Sequence, residues 1–115
     1  MISEEIGGNY IPSSKLSTSA TKVQFGNLLI QSGAVSVTTT STLTDKGTAY
    51  AGSANFTFPI AYSSTPTVIT CIVEVPRYWM SSAKNVTTTG AQMRIGGNTN
   101  NTAKTVNWIA VGYKA

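Results

Sequence analysis

The sequence predicts an all-β domain: an antiparallel β-sandwich of about six short strands behind an extended N-terminal lead-in. Three observations carry this expectation. No segment sustains helical periodicity over three turns. The apolar residues fall in short, β-branched, alternating runs, and clusters of Gly, Pro, Asn and Ser separate those runs at regular spacing, the pattern of sandwiches and barrels.

Residues 1–22 read as a tether. Gly7-Gly8-Asn9 is a breaker cluster, Pro12 restricts its neighbour, and hydroxyl side chains dominate Ser13 to Ser19. The sandwich is expected over residues 23–115. The stretch Phe25 to Val37 is apolar and β-branched with alternating segments, and Gly33 inside it suggests a bulge or bend. The Thr38–Thr44 tract fits a strand extension or a loop, and Asp45-Lys46-Gly47 is a turn signal. In Ala54 to Pro59, Phe56 and Phe58 point one way and Asn55 and Thr57 the other, and Pro59 stops the ladder.

Ser63-Ser64-Thr65-Pro66 is a turn leading into Thr67–Val75, the most strand-like segment of the chain. Its nearly all-apolar face, with Ile69, Cys71 and Val73, is expected to be core, which would bury Cys71. Arg77 to Ser82 then reads as an aromatic-rich loop. Short strands are expected around Asn85–Thr88 and Ala91–Ile95, a loop at Gly96 to Thr102, and a last alternating strand at Thr105–Tyr113.

Composition narrows the function. Charged residues make up 10% of the chain, well below the usual quarter, and Thr, Ser, Asn and Gly replace them. A neutral, hydroxyl-rich surface suits contact with neutral polar ligands such as glycans. The net charge of +4 comes from eight Lys and Arg spread singly along the chain. Phosphate binding wants them clustered, so no nucleic-acid partner is expected. The longest apolar run falls far short of the ~18 residues of a membrane span, so no membrane insertion is expected. Met1 to Glu5 has neither the basic nor the apolar region of a signal peptide, consistent with synthesis in a reducing cytoplasm.

Catalytic chemistry has little to work with. The chain has no histidine, which removes the commonest general base and metal ligand. The single cysteine allows no intrachain disulfide and no multi-cysteine metal site. Outside the tether the only carboxylates are Asp45 and Glu74, one in a turn and the other in a strand, and nothing suggests that they meet as a glycosidase pair. Glu74 is better placed to pair with Arg77 or Arg94 at the sheet margin. Gly96-Gly97-Asn98 lacks the Lys-Ser/Thr of a phosphate loop, and the neighbouring asparagines offer calcium only neutral oxygens. No enzyme, cofactor or metal is expected.

The stretch Asn55-Phe56-Thr57-Phe58-Pro59-Ile60-Ala61-Tyr62-Ser63-Ser64-Thr65-Pro66-Thr67-Val68 resembles a hairpin of the C-terminal domains of bacteriophage tail fibres. Asn107-Trp108-Ile109-Ala110-Val111-Gly112-Tyr113 is similar to their closing strand, and Gln24 to Gly33 to their opening strand. The hairpin also resembles that of H-type lectins. The resemblance implies a homotrimeric β-sandwich knob at a virion's fibre tip. That knob would act outside the cell and recognise a host cell-surface glycan, such as lipopolysaccharide, or an outer-membrane receptor. Two alternatives stay open: a structural trimerisation or capping module of the fibre, and a free-standing lectin. The lead-in fits a fragment of a longer fibre. H-type lectins bind amino sugars through charged and His residues, and this chain has no His, so only fold and role carry over.

The candidate binding residues come from local chemistry. Arg77, Tyr78 and Trp79 combine a guanidinium with two rigid aromatics, the composition of sugar-stacking and interface surfaces, although both rings could instead cap the sandwich. Asn98, Asn100 and Asn101 offer amides to sugar hydroxyls, although Asn also favours turns. Tyr62 could line the same surface or belong to the core, and Trp108 is expected in the core or a subunit contact. A thin core in a short chain also favours a homotrimer.

Overall fold

The computed structural model describes residues 4–6, 9–11, 16–19, 21–42, 49–73 and 79–115. All regular structure there is β: β1 (Glu4–Ile6), β2 (Asn9–Ile11), β3 (Leu16–Ser19), β4 (Lys22–Phe25), β5 (Leu28–Thr38), β6 (Ser41–Thr42), β7 (Tyr50–Thr57), β8 (Thr67–Ile72), β9 (Met80–Lys84), β10 (Gly90–Gly97) and β11 (Ala103–Tyr113). β1 and β2 pair with each other alone. The other nine strands form two antiparallel layers, ordered β6-β7-β10-β9 and β3-β4-β5-β11-β8.

The two longest strands, β5 and β11, pair along their whole length from Ala103 opposite Thr38 to Tyr113 opposite Leu28. Alternation sets their inner face: Leu29, Gln31 and Val37 from β5 and Val106, Trp108 and Ala110 from β11 are all buried. From the opposite layer, Met93 and Ile95 of β10 meet them, and Phe58 and Tyr62 of the β7–β8 connection close the cluster. Its centre is aromatic. The Trp108 ring lies 5.1 Å from Phe56 and 5.6 Å from Phe58, and Phe58 meets Tyr62 edge-on at 5.3 Å.

The β7–β8 connection is irregular yet held in place. Pro59, lacking an N–H, ends the pairing of β7. Phe58 and Tyr62 then donate their backbone N–H groups to Thr89 and Thr88. Gln31, buried on β5, supplies the remaining partner: its amide nitrogen donates to the Ile60 carbonyl and its amide oxygen accepts from the Ile60 N–H.

Four expectations are corrected. Gly33 is no bulge: it pairs regularly with Trp108, and a Cβ there would stand 2.7 Å from Trp108 Cζ2, so the position is a close approach of backbone to indole. Met80 to Lys84 is a strand and not part of a loop. Conversely, Asn85 to Thr88 is a turn. Asn85 has φ 54°, and the Thr87 hydroxyl accepts from the N–H groups of Thr89 and Gly90, which pulls the chain back on itself. Finally, β8 faces the other way. Val68, Thr70 and Ile72 point inward, while Ile69, Cys71 and Val73 are exposed. The expected turn at Asp45-Lys46-Gly47, and Glu74 with its proposed pairing, lie outside the described residues.

Candidate functional site

Antiparallel register sorts the loops between the two ends of the sandwich. The ends of β5, β8 and β10 and the start of β11 lie together at one end, with Trp79 and the segment Asn98 to Thr102. Tyr62 lies at the other end, bridged to Lys114 beyond the end of β11.

At the first end one residue pins the β10–β11 loop by hydrogen bonds. Thr39, fully buried just past β5, donates its hydroxyl to the Thr99 carbonyl at 2.8 Å and accepts the Thr102 N–H at 3.0 Å. Its backbone N–H donates to the Thr102 carbonyl and its carbonyl accepts from Asn101, both at 3.0 Å. One threonine thus satisfies four polar contacts of the loop. Asn101 takes the left-handed conformation with φ 51°, which Asn tolerates better than most residues. Asn98 is exposed and its Oδ1 accepts from the Thr99 hydroxyl. Asn100 is partly buried, and its Oδ1 is enclosed with no hydrogen-bond partner among the described residues.

Trp79 stands beside this loop because Gly97, the last residue of β10, leaves room for it. A Cβ on Gly97 would collide with the indole ring. The Lys104 ammonium lies 4.9 Å from the ring centroid, a cation–π distance. The indole therefore closes the end of the sandwich between a residue of β10 and one of β11, and it remains partly exposed.

Around the corner, the outward face of the four-stranded sheet holds a shallow depression of about 190 Å³ lined by Ala51, Met80, Ser81, Ser82, Arg94, Ile95 and Gly96. Register explains it: Ala51, Gly96 and Met80 sit side by side, so two small residues form the floor beside a long exposed thioether. Met80 adjoins Trp79 in the chain and Gly96 adjoins Gly97, so the depression runs up to the Trp79 end.

Of the sequence-predicted site residues, the structure brings together Trp79, Asn98, Asn100 and Asn101. Arg77 and Tyr78 lie outside the described residues. Tyr62 belongs to the core: it is 2% exposed, its hydroxyl donates to the Ala110 carbonyl at 2.9 Å, and burial raises its pKa above the ordinary phenol value. It offers a ligand no surface. Sequence reading missed Lys104, Met80 and the Ala51–Gly96 floor. The only sequence signal for the last was a pair of small residues whose adjacency needs the β7–β10 register.

Chemically this end offers an indole, an ammonium and asparagine amides, and the Arg94 guanidinium lines the adjoining depression. Among the described residues, no three His, Cys, Asp or Glu side chains come together. The arrangement is suited to holding a polar ligand by stacking and hydrogen bonds.

No known family model matches the chain, and no curated protein matches it. Solved structures do. Discoidin II from Dictyostelium discoideum superposes with TM-score 0.60 at 20% identity, covering 86% of this chain and 41% of that one, so the chain spans well under half of the discoidin II length. The tailspike protein gp49 from Pseudomonas phage LKA1 gives TM-score 0.59 at 22% identity over 77% of this chain and 16% of that one. An N-truncated R1-type pyocin tail fibre gives TM-score 0.60 at 20% identity over 85% of this chain and 84% of that one. The chain shares its β-sandwich fold with discoidin II, a phage tailspike and a pyocin tail fibre.

Proposed function

We propose that this chain is the receptor-binding tip domain of a tail fibre, acting as a homotrimer on the outside of a virion and recognising a bacterial surface glycan such as lipopolysaccharide. The observation that best supports this reading is the end-to-end likeness to the pyocin tail fibre, which covers most of both chains. The tail-fibre resemblance of the Asn55–Val68 segment, which crosses from one layer to the other and forms no hairpin, and of the closing strand through Trp108 points the same way. In this reading the sandwich is a rigid mount and the loop end is the contact surface, because loops on a rigid sheet vary without disturbing the core. Trp79 presents its exposed part to a sugar ring, Arg77 and Lys104 meet acidic or phosphorylated groups, and the asparagines supply directional hydrogen bonds. The domain binds without turnover: it has no histidine and few carboxylates to drive hydrolysis.

The test is binding of the labelled, purified domain to live cells of candidate hosts, with and without stripped surface polysaccharide. The expected result is saturable binding that stripping abolishes, with no sugar fragments released. Trimers that bind no host cell would mark a structural module of the fibre instead. Release of fragments would make the domain a depolymerase.

A further inference from the structure

We infer that the outward face of the five-stranded sheet is the surface through which copies of this chain assemble, a step that rests on the trimer reading above and assigns its interface. An antiparallel sheet that packs one face on the core usually presents polar residues on the other. The four-stranded layer does so, with Ser53, Asn55, Ser82, Lys84, Gln92 and Arg94 outward. The five-stranded layer does so only in part: Ser36, Thr67, Thr105 and Asn107 are outward, but a row of large apolar side chains stands among them.

On that layer Ile69 and Ile109 sit directly opposite each other on β8 and β11, yet remain 59% and 45% exposed. Tyr113 is 61% exposed, Val73 54%, Val23 42% and Phe25 40%. Register makes these one patch. Tyr113 pairs with Leu28, which pairs with Phe25, and Val111 pairs with Ile30, which pairs with Val23. The patch thus crosses β4, β5, β11 and β8. Side chains of this size leave on the order of 500 Å² of apolar area uncovered, at the upper end of what a monomer carries.

The occupant is a second copy of the same chain. No outward position of β4, β5, β8 or β11 carries Asp, Glu, Lys or Arg: Lys22 and Lys104 fall on the inward-facing positions of their strands. A charged partner finds nothing here to pair with, whereas an identical neutral face meets itself without repulsion. The dimensions also fit. Strands of four, eleven, eleven and six residues, about 4.8 Å apart and rising about 3.3 Å per residue, give a face on the order of 500 Å². That is well over half of the ~800 Å² each partner contributes to a stable interface. Three such faces gathered about one axis bury the apolar rows and leave the loop end with Trp79 free at the rim.

Light scattering on the wild-type domain at micromolar concentration, alongside Ile109→Glu and Gln92→Glu, tests the inference. Wild type and Gln92→Glu should be trimeric, and Ile109→Glu monomeric with an unchanged circular dichroism spectrum. Cys71, outward on the same face, gives an independent readout that does not depend on the variant folding: its thiol should react with a maleimide at least about tenfold more slowly in the wild-type assembly than in denaturant. A wild-type trimer whose Cys71 reacts at the free-thiol rate, or an Ile109→Glu variant that stays trimeric, overturns the face assignment but keeps the trimer. A wild-type dimer with Cys71 protected keeps the face and removes the trimer. A wild-type monomer removes both.

Discussion

Gln31 and Ile60 are joined as if they were neighbours in a ladder: the Gln31 amide donates to the Ile60 carbonyl at 2.8 Å and accepts the Ile60 N–H at 2.9 Å. A buried side chain here does the work of a strand edge, fixing the connection just after Pro59 where backbone pairing has run out. Gln31→Leu keeps the volume and removes both bonds, leaving two enclosed backbone groups unpaired. It should destabilise the domain by about 2–4 kcal/mol. Urea unfolding monitored by tryptophan fluorescence checks this, and an unchanged midpoint would show that water replaces the amide.

Gly33 and Trp108 are a second dependent pair. The indole lies over the glycine so closely that an added Cβ would come within 2.7 Å of it. Gly33→Ala should therefore cost about 1–3 kcal/mol through displacement of a packed ring. The same change made in a Trp108→Leu background should cost clearly less, because the atoms it strikes are gone. A double-mutant cycle measures that coupling, and additive effects would place the strain elsewhere.

Tyr62 links stability to pH. Burial favours its neutral phenol and raises its folded pKa above 10.0, its ordinary value, and the hydrogen bonding with Gln31 only partly offsets this. The sign follows from linkage: the unfolded chain gives up the proton first, so the stability tied to the neutral phenol is complete below about pH 10 and is lost as pH rises through the folded-state value. Tyr62→Phe should cost about 1 kcal/mol at neutral pH, for the bond to Ala110, and should flatten part of the alkaline decline. Denaturant titrations of both proteins between pH 7 and 11 compare the two slopes, and identical slopes would mean that Tyr62 does not titrate differently on folding.

The sandwich is legible from sequence because its inner rows are separated from polar neighbours by strict alternation, as in Val106, Trp108 and Ala110 against Thr105 and Asn107. The facing of β8 is not, and the reason is physical. Alternation tells which residues share a face but not which face is core. Both faces of β8 are apolar enough, Val68 and Ile72 on one and Ile69, Cys71 and Val73 on the other, and the more apolar one lies outside. Pairing with β11 decides it, setting Val68 beside Ala110 and Ile72 beside Val106 on the inner face. The candidate site divides the same way. Asn98 to Asn101 announces itself by composition, whereas the seat of Trp79 depends on Gly97 lying beside it across the sheet, and the Ala51–Gly96 floor on a register that only the fold reveals.

Trp79 and Trp108 should separate binding from folding. Trp108 sits at the centre of the aromatic cluster, touching Phe56 and Phe58 and roofing Gly33. Its replacement by Ala removes a buried indole and should cost about 3–5 kcal/mol, enough to unfold a domain of this size or leave it marginal. Trp79 is only partly buried and rests on the backbone of Gly97 with Lys104 above it. Trp79→Ala leaves its space open to water instead of a closed cavity, so the loss should be nearer about 1–2 kcal/mol, within what the domain can bear. If its exposed part stacks on a sugar, the same change should reduce cell binding by an order of magnitude or more, since one well-placed aromatic anchor commonly contributes at least ~2 kcal/mol. Lys104→Met, which keeps the packing and drops the ammonium, should weaken binding to an acidic glycan and spare binding to a neutral one. Unfolding curves, light scattering and host-cell binding on all three variants decide the matter. A Trp79→Ala protein that assembles normally and binds like the parent would leave the indole as a cap on the sandwich, and the receptor would have to be sought along the Met80–Arg94 depression.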